Sequence, residues 1–167
     1  MFEIGTYVVY GNTGICRIED ITTLDIPGTD KERLYYVMSP IHEQGSRDYL
    51  PVDNTRVVLR EVIAPKEALE LIDRIPRIEE LDIGNEKLRE DKYKEMARKS
   101  DCESWISIIK TVYLRRQERA SQGKKITATD EQYYRLAVEH LYCELGFALD
   151  KNPDEIEQFI TDRIDNR

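Results

Sequence analysis

Lysine and arginine side chains are concentrated in one stretch in the middle of this chain. Residues 87–125 hold twelve Lys and Arg against six Asp and Glu, a local balance of +6, whereas the whole chain has a net charge of -8. Clustered cations of this kind are typical of a surface that contacts phosphate. The alternative is that they coat the exposed sides of helices and pair with acidic neighbours. The composition alone leaves these two interpretations equally open.

The phosphate interpretation selects cations from two predicted helices and the loop after them. Loop cations and the amides at helix ends can approach a nucleic-acid backbone closely. The candidate DNA phosphate-binding residues are Lys87, Arg89, Lys92, Lys99, Arg115, Arg116, Lys124 and Lys125.

Residues suited to catalysis or metal binding are few and scattered. His42 falls in a predicted loop and His140 on a predicted helix, and no Gly-rich phosphate loop, Gly-x-Ser-x-Gly or His-Glu-x-x-His motif occurs. The three cysteines are odd in number and far apart, so we expect free thiols. The sequence therefore predicts a protein that is not an enzyme, with no cofactor, metal site or small-molecule substrate.

Apolar residues form no run of about eighteen, and the N-terminus lacks a basic segment followed by an apolar one. We therefore expect no membrane association, and the predicted location is cytoplasmic.

The N-terminal part of the chain has the pattern of short strands. β-Branched and aromatic residues are frequent at residues 7–10, 15–21, 33–38, 47–52 and 56–62, and the second of these runs also alternates imperfectly between apolar and polar residues. Turn-forming residues separate these runs. Five short strands in about sixty residues predict a small, strongly bent β-barrel of the SH3 or Tudor type.

The C-terminal part has helical periodicity. Five helices are predicted to begin at Pro65, Asn85, Asp101, the capping-box pattern of residues 129–132, and Asn152. The spacing of Trp105 with the apolar residues that follow it favours a core position. The predicted fold class is α+β with two domains. Residues 1–63 form the five-stranded SH3/Tudor-like barrel, and residues 64–167 form an all-helical domain of about four to five helices.

Several passages occur in a familiar order. Residues 2–10 read Phe-Glu-Ile-Gly-Thr-Tyr-Val-Val-Tyr, and a Gly-containing turn and a second strand ending in Ile21 follow. Residues 114–119 (Leu-Arg-Arg-Gln-Glu-Arg) and 142–149 (Tyr-Cys-Glu-Leu-Gly-Phe-Ala-Leu) complete the set. Over residues 2–149 the chain resembles the CarD family of bacterial transcription regulators. The strand-rich half alone also resembles the polymerase-binding module of transcription-repair coupling factor, but the helical continuation without a helicase motor favours CarD.

The resemblance implies a function and two partners. In the CarD family the N-terminal domain binds the β subunit of bacterial RNA polymerase, partly by pairing strand edges. The helical domain contacts promoter DNA phosphates and stabilises the open complex with little direct sequence readout. The matching positions of this chain assign polymerase binding to Arg47, Tyr49, Leu50 and Pro51.

The chain also departs from the family pattern. A family Trp that wedges into the minor groove would fall within residues 81–85, which contain no aromatic residue. One polymerase-contacting Arg of the family aligns with Leu24, and a second aligns with Tyr49. A basic residue expected early in the fourth helix falls near residues 131–132. We therefore expect docking through strand edges to be kept and the wedge to be absent.

Two other functions remain open at this point. The first is a CarD-like paralogue that binds polymerase without binding DNA and acts as a competitor or an adaptor. The second is an RNA- or ribosome-associated SH3-like module with a helical tail.

Overall fold

Five short strands near the N-terminus form one antiparallel sheet. They are β1 (Tyr7–Tyr10), β2 (Gly14–Thr23), β3 (Leu34–Pro40), β4 (Asp48–Pro51) and β5 (Leu59–Glu61). Their order across the sheet is β4-β3-β2-β1-β5, which leaves β4 and β5 at the two edges. The prediction of five strands is confirmed.

The structure is a computed structural model that describes all 167 residues. By its internal contacts the chain divides into two units, Met1–Val62 and Ile63–Arg167. We call them the sheet unit and the helical unit.

The last strand is shorter than the sequence predicts. The apolar pattern suggested a strand over residues 56–62, but β5 holds only three residues, Leu59–Glu61. The side chain of Asn54 accepts hydrogen bonds from the backbone N–H groups of Arg56 and Val57, and its amide donates to the Val57 carbonyl. These local bonds hold residues 54–57 in a turn, so the strand begins only after them.

The turn between β1 and β2 depends on glycine. Gly11 has a φ of +44°, and a Cβ atom there would lie 2.8 Å from the Cγ1 atom of Val57. A larger residue would therefore meet both backbone strain and a close contact. The turn brings the two halves of the opening hairpin into register, with Val8 opposite Cys16.

The core of the sheet unit is apolar. Val8, Ile18 and Met38 are fully buried, and Tyr36 and Leu50 are nearly so. These residues come from four different strands, so the core ties the strands together.

The helical unit contains five α-helices, as the sequence predicts. They are α1 (Pro65–Arg74), α2 (Arg89–Lys99), α3 (Cys102–Ser121), α4 (Ala128–Leu149) and α5 (Pro153–Asp165). No helix combines the length and apolar character needed to cross a membrane.

Two helix starts differ in detail from the prediction. Asn85 caps a 3-10 turn, Glu86–Leu88, and α2 follows it. The capping box of α4 lies two residues before the predicted one, because Thr127 is the N-cap and Asp130 returns the second hydrogen bond. The predicted box over residues 129–132 is therefore wrong. The short Asp130 carboxylate reaches back to the Thr127 N–H at 3.2 Å, which completes the box without a Glu or Gln.

Trp105 lies at the centre of the helical core. It is 1% exposed, and its ring stacks on His140 with 4.9 Å between ring centroids. The prediction that Trp105 is a core residue is confirmed. The segment between α1 and α2 is held against α3, because Lys110 donates to the carbonyls of Ile75 and Ile78.

Candidate functional site

The outer edge of β4 has backbone groups that the sheet does not use. Val52 N–H donates to the Leu34 carbonyl at 3.0 Å, and the register places Tyr36 opposite Leu50. Leu34 and Val52 are therefore a hydrogen-bonded pair. Because hydrogen-bonded and non-hydrogen-bonded pairs alternate along an antiparallel ladder, the backbone of Leu50 also bonds to β3, and the intervening pair of Val37 and Tyr49 does not. The N–H and C=O groups of Tyr49 therefore point away from β3.

The four predicted polymerase-binding residues lie together on this edge. Arg47 precedes β4 and is exposed, and the Tyr49 side chain is 49% exposed. Pro51 is half-buried at the end of the strand. Leu50 is only 6% exposed and belongs to the core. Arg47, Tyr49 and Pro51 are therefore the members of the set that a partner can reach.

The opposite edge, β5, also has outward-facing groups. Gly11 N–H donates to the Val58 carbonyl at 2.9 Å, and Val9 lies opposite Arg60. The same alternation turns the backbone groups of Leu59 and Glu61 outward. Glu61 on β5 is thus the counterpart of Tyr49 on β4.

The predicted phosphate-binding residues of the helical unit divide into exposed and paired cations. Lys87, Lys99, Lys124 and Lys125 are exposed. No carboxylate lies within ion-pairing distance of these four side chains. Lys92 is half-buried. The exposed lysines can therefore meet an anion without breaking a contact of the fold.

Arg116 is partly engaged on the surface of the α3–α4 hairpin. Its guanidinium lies 4.8 Å from the centre of the Tyr134 ring and 4.0 Å from the Glu131 carboxylate. Its side chain is still 44% exposed. The loop after α3 is held by Arg119, whose Nε donates to the Lys125 carbonyl at 2.6 Å. This bond fixes the backbone that carries Lys124 and Lys125.

Arg89 and Arg115 are paired rather than free. Arg89 makes a bidentate contact with Glu86, with 2.9 Å from Nε and 2.8 Å from the terminal nitrogen. Arg115 reaches the same carboxylate at 3.0 Å. The two Arg side chains are 13% and 15% exposed, whereas that of Glu86 is 65% exposed. One exposed carboxylate thus joins two nearly buried guanidinium groups.

Two buried side chains, Asp130 and Tyr93, hydrogen-bond the arginines on the side that faces the core. Arg115 Nε donates to Asp130 at 2.8 Å, and the Tyr93 hydroxyl donates to the other oxygen of Asp130, also at 2.8 Å. Arg89 donates to the Tyr93 hydroxyl at 3.1 Å. Asp130 and Tyr93 are both fully buried. We call these five residues, Glu86, Arg89, Tyr93, Arg115 and Asp130, the ionic network.

The pKa values of the network follow from these contacts. The hydrogen bond from Arg89 lowers the pKa of Glu86 to about 2 against an opposing effect of desolvation. Burial works against ionisation of Asp130, but hydrogen bonds from Tyr93 and Thr127 and the charge of Arg115 together lower its pKa. Burial raises the pKa of Tyr93 to about 12. Both carboxylates are therefore ionised, and Tyr93 is neutral, at neutral pH.

The segment where the family Trp was expected has a different character. Asp82 is exposed there, Glu79 and Glu80 are exposed just before it, and Leu81 N–H donates to the Thr111 hydroxyl at 2.8 Å. The buried Trp105 cannot replace the missing aromatic side chain without leaving the core.

Sequence reasoning did not find the ionic network. The spacing of Glu86 and Arg89 at i,i+3 was a usable signal, because such pairs meet on a helix. Arg89 and Tyr93 are likewise only four residues apart on α2. The contacts that Arg115 and Asp130 make with this group span 15 to 37 residues, so only the packing of the helices brings them together. No group of three or more His, Cys, Asp and Glu side chains is placed to hold a metal ion.

Comparison with known proteins identifies the sheet unit. Residues 2–63 match the family model of the CarD-like/TRCF RID domain, where RID stands for RNA polymerase-interacting domain. This family is a non-catalytic interaction domain. No curated protein matches the chain at a significant level. The match confirms the sequence resemblance for this segment: residues 2–63 are similar to the CarD-like/TRCF RNA polymerase-interacting domain.

Proposed function

We propose that this protein is a cytoplasmic, CarD-like transcription regulator that docks on the β subunit of bacterial RNA polymerase and contacts promoter DNA. Residues 1–63 provide the docking domain, and residues 64–167 provide the DNA-contacting domain. Contact with the DNA backbone then modulates the stability of the open complex. The observation that carries the proposal is the family match of residues 2–63.

Docking uses the free edge of β4. A strand of the polymerase pairs with the outward N–H and C=O groups of Tyr49, which is the β-augmentation mode of recognition. The exposed side chains of Arg47 and Tyr49 lie beside this edge and add side-chain contacts. In this proposal the sheet unit has the Tudor-type architecture that the sequence predicts.

DNA contact uses the exposed cations of the helical unit. Lys87, Lys99, Lys124 and Lys125 reach phosphates directly, because no ion pair occupies them. Lys92 and Arg116 add weaker contacts at the margin of this surface. Phosphate contacts of this kind carry no sequence information, so binding tolerates many sequences.

Proline substitutions on the two edges test the docking proposal. Tyr49→Pro removes an outward N–H group without removing a bond to β3, so we expect capture of RNA polymerase by the full-length chain to fall by about tenfold or more. Glu61→Pro makes the same change on β5 and should leave capture unchanged. A pull-down with purified polymerase, together with circular dichroism of both variants, measures this.

Two results would overturn the docking proposal. One is a Tyr49→Pro variant that is folded and captures polymerase like the wild type. The other is loss of capture with Glu61→Pro alone, which would place docking on β5.

A band-shift with duplex DNA tests the second half of the proposal. We expect weak, sequence-tolerant binding that falls steeply with salt, since each neutralised phosphate contributes about -0.9 to the log–log slope. Replacing both Lys124 and Lys125 by Ala should make the negative salt slope shallower by about 2. The same replacement should weaken binding equally on unrelated DNA sequences. An unchanged slope would exclude the α3–α4 loop from the DNA surface.

A second function is favoured by the acidic segment that precedes α2. Asp82 is exposed where the family Trp is expected, and Glu79 and Glu80 are exposed just before it. Carboxylates at these positions repel the phosphates of DNA. The alternative is therefore a polymerase-binding protein that does not bind DNA and acts as a competitor or adaptor. Polymerase capture without any duplex binding would establish this alternative.

A further inference from the structure

The contact of Arg89 and Arg115 with Glu86 has the geometry of an anion site. Arg89 grips the two oxygens of the Glu86 carboxylate with two parallel hydrogen bonds, and Arg115 adds a third bond at 3.0 Å. Two guanidinium groups converging on two oxygens of one anion is the arrangement that proteins also use for phosphate.

The arginines are fixed independently of Glu86. Asp130 holds Arg115 by its Nε atom, and the Tyr93 hydroxyl accepts from Arg89. Asp130 and Tyr93 are fully buried, so these supports stay in place if the Glu86 side chain swings away. The remaining N–H groups would then point outward from a prearranged pair of cations.

Glu86 itself is the loosely held member of the group. Its side chain is 65% exposed and belongs to a single 3-10 turn, and its carboxylate contacts only these two arginines. Water can solvate the exposed carboxylate as it leaves, whereas the two arginines keep their buried partners. A competing anion can therefore take its place.

We propose that Arg89 and Arg115 form a phosphate-binding site that the Glu86 carboxylate occupies in the free protein. A phosphodiester oxygen of nucleic acid displaces Glu86 when the helical unit binds. Glu86 thus lowers the affinity of the surface for DNA and stabilises the free fold. The inference rests on the proposed DNA contact and adds an internal competitor to it.

Removing the charge of Glu86 should strengthen binding rather than weaken it. Glu86→Gln leaves both arginines on their buried supports and removes the competing anion. We expect duplex DNA to bind the Glu86→Gln variant about fivefold more tightly than it binds the matched control, Glu95→Gln. Glu95 is an exposed acid on α2 without an ion pair, so the control makes the same change of net charge. Fluorescence anisotropy of a labelled duplex at fixed salt measures both variants.

Salt dependence and stability add two readouts. Glu86→Gln should steepen the log–log salt slope by about 0.9 for each added phosphate contact, and Glu95→Gln should not. The same variant should unfold at a lower temperature than the wild type, because it loses its ion pairs. A purely structural role for Glu86 predicts the lower unfolding temperature with no gain in DNA affinity, and that result would overturn the inference.

Titration with inorganic phosphate separates this inference from the proposed function. We expect phosphate to shift the Nε–Hε NMR signals of Arg89 and Arg115 in the Glu86→Gln variant. In the Glu95→Gln variant we expect phosphate to leave these signals unchanged. If these signals respond but no variant binds duplex DNA, the anion site stands and the proposed DNA contact fails. If wild type binds DNA but the Arg signals of Glu86→Gln ignore phosphate, the inference fails and the proposed function stands.

Discussion

The two units of this protein present different kinds of groups to a partner. The sheet unit has an apolar core, and its candidate site is the row of backbone amides and carbonyls on the edge of β4. The helical unit places a fully buried carboxylate, Asp130, beside its core, and its candidate site consists of charged side chains. One site is therefore defined by the backbone and the other by side chains.

From this difference we expect the two units to respond differently to substitution. Backbone pairing survives almost any side-chain change that keeps the strand, so an edge site can persist when individual arginines are lost. Leu24 and Tyr49 stand where the family has Arg, yet residues 2–63 match the family model. A side-chain site changes with every charge, as the acidic residues 79–82 show.

The largest expected effect tests the apolar core of the helical unit. Trp105→Ala should lower the free energy of unfolding by about 3–5 kcal/mol, because it removes a fully buried aromatic side chain. Tyr113→Ala on the same helix is the control, since Tyr113 is 52% exposed. Urea denaturation followed by far-UV circular dichroism measures both. A stable Trp105→Ala variant that fails only in promoter opening would show instead that Trp105 acts on DNA.

A smaller effect tests the ionic side of the same core. Asp130→Ala leaves Arg115 and Tyr93 without their buried acceptor, so we expect a loss of about 3 kcal/mol. Glu131→Ala removes a carboxylate one residue later that makes only surface pairs, and should cost less than about 1 kcal/mol. Tryptophan fluorescence during urea denaturation reports both. Equal losses for the two variants would contradict the special role of Asp130.

The smallest effect is a pH dependence of the stability of the helical unit. Hydrogen bonding from Arg89 lowers the pKa of Glu86 from 4.5 to about 2, so its contribution to stability is present above pH 4.5 and is lost as pH falls towards 2. Burial lowers the pKa of His140 from 6.5, so its contribution is likewise lost as pH falls. Trp105 fluorescence should therefore report progressive acid destabilisation of the helical unit.

Alkaline pH should destabilise the sheet unit, and the helical unit as well, since burial raises the pKa of Tyr93 to about 12. Burial raises the pKa of Cys16 from 9.0 to about 12, so the stability that it contributes is present below pH 9 and is lost as pH rises towards 12.

The control variant for the acid prediction is Glu86→Gln, which should flatten the loss of stability of the helical unit between pH 4.5 and 2. An unchanged acid profile in that variant would remove Glu86 from the explanation.

The sequence predicts the elements of both units because their signals are local. Alternation and turn residues locate the five strands, and the spacing of apolar residues locates the five helices, with Asp101 capping α3 through a 2.7 Å bond to Ser104 N–H. For α4 the sequence predicts a cap at Thr129, whereas the structure has the cap at Thr127, with the second hydrogen bond of the box accepted by Asp130.

The ionic network could not be predicted as a whole because Arg115 and Asp130 are distant in sequence from Glu86, Arg89 and Tyr93. Arg115 looked like an exposed cation beside Arg116, and its burial follows from the packing of α3 against α4 and the turn at Glu86. Arg116, one residue later, remains 44% exposed. Adjacent positions on a helix point about 100° apart, so identical residues can have opposite roles.

Pro51 has a consequence for self-association. An open strand edge can also pair with the same edge of another copy, which is a common route to aggregation. Pro51 lies two residues after Tyr49, so it also faces outward, and its missing N–H removes the next donor from the edge. The pairing surface is therefore short. The positive charge of the nearby Arg47 also repels the Arg47 of a second molecule paired at the same edge. This edge can accept one partner strand but is poorly suited to grow into a continuous fibril.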